Sequence, residues 1–134
     1  MEPMSVLIMA LLMNGTNLTP ATIIEMNSQS EYVPCVGNAK HFTNDGTSPC
    51  YDCWHFSVDL VRELRMVGIE SAVILVQKPV WVRHYIVAAN INESWHFIEP
   101  QTGEQADMTT WHFRGVEDKN YTLRKKVAAA AKKR

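Results

Sequence analysis

Apolar residues fill nearly every position of MSVLIMALLM, which predicts a short buried helix over residues 4–13. In NLTPATIIEMNSQS, Thr19 is placed as an N-cap and Pro20 falls in the first turn, where its missing N–H costs nothing. A second helix is therefore expected over about 20–28. Residues 30–49 are rich in Asn, Gly, Pro, Thr and Ser and predict a long loop, a feature that in a compact domain is usually functional or mobile. Phe56, Leu60, Val61, Leu64 and Val67 then recur at helical spacing, and Val58 and Met66 widen the stripe. Arg62, Glu63 and Arg65 lie on or beside the polar side. With Asp52 or Ser48 as cap and Gly68 as stop, the pattern predicts a helix over 53–67.

The period then changes. SAVILVQ (71–77) and HYIVAANI (84–91) are continuous apolar runs of the kind found in buried strands. SWHFIEP (94–100) alternates, with Trp95, Phe97 and Glu99 on one face and His96 and Ile98 on the other. Asn92 and Glu93 fit a tight turn, so the second and third strands are expected to form an antiparallel hairpin, reached from the first through KPVW (78–81). A fourth strand is expected at about 109–113, and 121–131 has helix propensity. Grouped strands after grouped helices make an α+β pattern, a helix packed on an antiparallel sheet. The expected organisation is N-terminal helices and loop (1–49) on a core (50–120), followed by a basic tail (121–134). The tail, ending LRKKVAAAAKKR, is expected to be a frayed, solvated helix end.

Length and charge narrow the classes. A chain of 134 residues makes one domain, large enough to bury a core without disulfide staples. A net charge of −1 argues against a nucleic-acid partner held by phosphate electrostatics. The apolar run at the N-terminus is far short of the roughly 20 residues of a membrane span and lacks the basic start of a signal peptide. The three cysteines, Cys35, Cys50 and Cys53, are too few for a disulfide framework, and an odd count leaves at least one thiol free. That suits a reducing compartment or a reactive thiol better than a secreted scaffold, and a cytoplasmic location is favoured.

Cys53 carries the chemistry. At a helix N-terminus its sulfur faces unpaired backbone N–H groups and the positive end of the helix dipole, which favour thiolate over thiol and can bind an oxyanion. A base and an orienting acid are then needed. His84 opens the second strand and Glu99 ends the third, so both fall at the open end of one hairpin, where a carboxylate can hold an imidazole in one tautomer. Cys53, His84 and Glu99 make a plausible Cys–His–acid triad, with Tyr51, Gln29 or Asn38 as candidate oxyanion donors. Trp54, Trp81 and Tyr51 are candidates for a substrate groove; for Trp95 and Trp111, packing is the default. His55 suits a surface or capping role, His96 a structural one, and His41 and His112 are uninformative. Two other readings compete. Cys50 and Cys53 have zinc-ligand spacing, with Cys35 and His41 or His55 to complete a site, although no second close-set couple is present. They also echo a thioredoxin-like redox pair, or a regulatory disulfide, but no strand is predicted before them.

The order CWHFSVDLVRELRMVGIESAVIL, then the strand from His84, then WHFIEP resembles the transglutaminase-like superfamily, a compact branch of the papain-like cysteine enzymes. The likeness covers about residues 50–103, and CYDCW also echoes the papain signature. It implies a papain-like core with Cys53 as nucleophile, His84 as general base and Glu99 as orienting acid. It further implies acyl transfer at an amide of a peptide, protein or other substrate, without metal or organic cofactor. The implied enzyme is a thiol protease, isopeptidase or amidase, with amine acyl transfer as the alternative. The chain departs from the family pattern at Glu99, where Asp is usual, at Glu70 for Pro, and at Tyr85 and Ile86 for Ala-Trp. These changes leave a third reading, a binding module on the same fold.

Overall fold

A computed structural model describes residues 4–35, 51–79 and 82–133. Ser48, Asn38, His41, Cys50 and Trp81 lie outside the described residues. The elements run α1 (Met4–Met13), α2 (Pro20–Ser28), α3 (Cys53–Met66), β1 (Ser71–Lys78), β2 (Val82–Ile91), β3 (Ser94–Ile98), β4 (His112–Glu117) and α4 (Tyr121–Lys132). The strands form one antiparallel sheet in the order β3-β2-β1-β4. The protein is α+β, as the grouping of strands predicts.

Local chemistry fixes the ends of the elements. The Thr19 hydroxyl accepts from the Thr22 N–H at 3.2 Å at the head of α2. Asp52 caps α3, and Gly68 ends it in the left-handed region at φ +80°, where a side chain would be strained. Asn92 and Glu93, at φ +53° and +65°, make the turn between β2 and β3.

The sheet is covered on both faces, which is why β1 and β2 read as continuous apolar runs. On one face Val73, Val87, Ala89 and Ile98 pack under Ile8, Ile23, Leu60, Val61 and Leu64 of α1, α2 and α3. On the other, Ala72, Ile74, Val76, Ile86, Ala88 and Phe97 pack under Leu123, Val127 and Ala131 of α4. Residues 121–132 are therefore no frayed, solvated end. Leucine, valine and alanine at helical spacing bury one face of α4 while the lysines stay outside, and the basic composition of the segment concealed that stripe. At the other end, α1 is buried only in part: Ile8 is enclosed, whereas Val6, Leu7 and Met13 are exposed.

The fourth strand begins three residues later than the 109–113 expected from the sequence and runs to Glu117. Asp107 holds the preceding turn by accepting from the Thr109 and Thr110 hydroxyls at 2.6 and 2.7 Å, which removes 109–110 from the strand. A β-bulge follows. Leu75 pairs with Gly115 but Val76 with Phe113, so one extra residue of β4 turns Phe113 to the α4 face.

Candidate functional site

Cys53 is the first residue of α3 and a free, partly exposed thiol. The Asp52 carboxylate accepts from the Trp54 N–H at 3.0 Å and the His55 N–H at 3.4 Å, and the Phe56 N–H goes to the Asp52 carbonyl at 3.0 Å. Asp52 thus occupies most of the helix donors that the sequence offers to an oxyanion, leaving the Cys53 N–H as the first-turn donor at the sulfur. His55 completes a capping box, its Nδ1 2.9 Å from Asp52 Oδ1 and 3.2 Å from the Asp52 N–H. It is a capping residue, and a buried one rather than a surface one.

His84 and Glu99 come from β2 and β3. Val87 pairs with Ile98, so continuing the register sets Glu99 opposite Ile86, one diagonal step from His84 on the same face. The side chains meet: His84 Nε2 lies 2.6 Å from Glu99 Oε2. Among the described residues β3 pairs with β2 only over Val87–Ile91, so no strand residue pairs with the His84 end of β2 on that side. There the imidazole is close enough to the Cys53 thiol for the sulfur to raise its pKa. With Nε2 taken by Glu99, Nδ1 is the nitrogen left for the thiol.

The electrostatics follow from these partners. Burial acts to lower the His84 pKa, but the hydrogen bonds with Cys53 and Glu99, together with the charge of Glu99, outweigh it and raise the imidazole to about 9. His84 is therefore an imidazolium at neutral pH. The Trp111 ring lies 4.9 Å from the imidazole, centroid to centroid, and Lys78 Nζ sits over that indole at 4.4 Å. Sequence gave Trp111 a packing role, and no spacing relative to His84 marks it out, because an irregular segment brings it there.

The groove candidates separate. Trp54 packs edge-on against Tyr85 at 5.0 Å and lines a groove of about 490 Å³ between α3 and the sheet. Cys53 and His84 do not themselves line that groove. Tyr51 is engaged elsewhere: its ring stacks on His55 at 5.6 Å and its hydroxyl donates to Asp59 at 2.6 Å. That bond makes Tyr51 a support of the helix head rather than an oxyanion donor or a groove wall. Trp81 and Asn38 fall outside the described residues.

A second cluster lies beside the cap, where ligand atoms of Cys35, Asp52 and His55 come within 4.8 Å of one another. Two of these, Cys35 and His55, belong to the zinc set considered from sequence; Cys50 and His41 lie outside the described residues. Cys35 is disulfide-bonded and offers no thiolate, and the Asp52 and His55 side chains are joined in the cap. Cys53 is not part of this group. Cys53 is free and so in no regulatory disulfide.

Among the described residues no helix is long and apolar enough to cross a membrane. Compared with known proteins, the chain matches no family model, and neither a curated protein nor a solved structure matches it.

Proposed function

We propose that this protein is a cysteine-dependent amide hydrolase with a compact, transglutaminase-like version of the papain-like core. The observation that carries the reading is the setting of His84, whose Nε2 lies 2.6 Å from the Glu99 carboxylate and whose pKa is raised by Cys53 as well as by Glu99. In this reading Cys53 and His84 react as a thiolate–imidazolium pair. The sulfur attacks the amide carbon, forming the S–C bond, and the Cys53 N–H receives the oxyanion. As the C–N bond breaks, the imidazolium gives its proton to the departing amine. Neutral His84 then takes a proton from water, which attacks the thioester; the carboxylate leaves and the thiolate–imidazolium pair returns. Glu99 holds the ring in the required tautomer throughout. An amine in place of water would give acyl transfer through the same thioester. No step calls for a metal.

The test is acylation by p-nitrophenyl acetate, followed by intact and peptide mass spectrometry. One acetyl group should appear on Cys53 and turn over, and His84→Ala should slow its formation by about 10²–10⁴-fold, the range for loss of a general acid–base. Acetylation elsewhere, or none, would remove the reading. Decay of the adduct in added glycinamide separates the two fates: release as an amide in preference to acetate would mark an acyltransferase.

A further inference from the structure

The groove beside the site has a composition of its own. Among the described residues α3 packs over β2 and β1 and little over β4 on that face. Trp54, Val58 and Val61 form one wall, Val73 the floor, and Glu117 and Asp118 the far rim. Glu117 shares the floor's face because it pairs with Val73 across β1 and β4. Arg65 bonds Asp118 at 2.7 Å and closes one end. Trp54 stands at the other end, next in the chain to Cys53 and against Tyr85, the neighbour of His84.

The charges on the rim do not balance. Arg62 is paired with Asp59 at 3.3 Å, and Asp118 with Arg65. Glu117 is exposed and makes no ion pair among the described residues. An apolar trough with one uncompensated carboxylate at its edge is complementary to an apolar side chain followed by a cation.

Resting on the Cys53 reading above, we infer that this groove is a substrate subsite for an extended peptide with a large apolar residue and, two residues away, a Lys or Arg. Residues two apart in an extended chain point to the same side, so the apolar side chain can reach the Val58–Val61–Val73 trough while the basic one reaches Glu117. The row through Tyr85, Leu75 and Gly115 lies two residues from the Val73–Glu117 pair. Two strand spacings and two residue rises place Glu117 about 12 Å from Tyr85. An extended chain covers that in roughly three to four residues, which sets the basic residue that far from the attacked carbonyl.

The test separates this inference from the reading it rests on. Fluorescein-labelled octapeptides of Ala and Ser, with Leu-Ser-Lys moved through every register, are titrated by anisotropy into the Cys53→Ser protein, which binds without cleaving. Peptides with Leu-Ser-Glu and Ser-Ser-Lys are the counterparts. The best Leu-Ser-Lys register should bind at least tenfold tighter than both, and Glu117→Lys should reverse the preference between Lys and Glu. Glu117→Gln, which keeps the shape, should abolish that preference without changing the melting temperature. Equal binding of the three sequences, or a preference that survives both Glu117 substitutions, overturns the subsite. Selective binding with an inert Cys53 would instead keep the groove and remove the hydrolase.

Discussion

His84 is the residue on which the account turns, because three groups define its state. If Glu99 supplies much of the stabilisation of the imidazolium, Glu99→Gln should move the His84 titration down from about 9 toward the ordinary histidine range, read from the ring C–H shifts by NMR. An unmoved midpoint would show that Glu99 does not hold the charge. The same raised pKa has a consequence for stability. The folded state holds a proton on His84 that the unfolded chain has already lost above about 6.5, so this contribution is complete below that pH and disappears as pH rises through about 9. Over that window wild type should lose stability more steeply than His84→Gln, as followed by denaturant midpoints; parallel curves would contradict the assignment. The legible part of the site was the hairpin arithmetic that brings His84 and Glu99 together. Trp111 and Lys78 were not legible as neighbours of the imidazole, since an indole reached through an irregular turn leaves no periodic signal. The capture of the α3 donors by Asp52 was half legible: the cap could be named, but not the number of N–H groups its single carboxylate oxygen would take.

The elements carry two local costs that substitution should relieve. Glu63 lies inside α3, fully enclosed, with neither carboxylate oxygen hydrogen-bonded. Burial, and then the nearby Asp59 charge, push its pKa up to about 8, against the smaller pull of Arg62. A raised carboxyl pKa means that the folded state loses stability as pH climbs from about 4.5 to about 8. Glu63→Met should flatten that loss and stabilise the protein by about 1–3 kcal/mol at pH 8, the usual cost of a buried unsatisfied polar group. An unchanged pH dependence of the melting temperature would count against a buried, neutral Glu63. In the β2–β3 turn, Asn92 and Glu93 both adopt positive φ. Asn tolerates this and Glu does not, so Glu93→Gly should raise stability by roughly 1 kcal/mol in urea titrations, with the hairpin register kept. The periodicity of α3 placed Glu63 beside the polar side, whereas the folded protein encloses it fully. That is tertiary packing, which a single helix's pattern does not contain.

At the scale of the whole molecule, the sheet is the shared wall of two cores, and His84 sits where they meet. Its strand face continues through Ile86 and Ala88 into the α4 core, while the thiol comes from a helix on the opposite face. The α+β order was legible because helices and strands occupy separate stretches. The second layer was not, because a lysine-rich, alanine-rich helix resembles a solvated tail until Leu123, Val127 and Ala131 are seen to share one face. Val127 is fully buried beneath the sheet. Val127→Asp would place an unpaired carboxylate there, and a large loss of stability is expected, several kcal/mol in chemical denaturation. A loss within about 0.5 kcal/mol would mean that α4 is a dispensable tail after all.

The most direct test of the central claim is the rate of iodoacetamide alkylation at Cys53 against pH, followed by mass spectrometry for wild type and His84→Ala. Cys53 should be labelled fast at neutral pH and markedly more slowly in His84→Ala, because the imidazole beside the sulfur is gone. Slow labelling of Cys53 at neutral pH, with no effect of removing His84, would contradict the pair and with it the proposed chemistry.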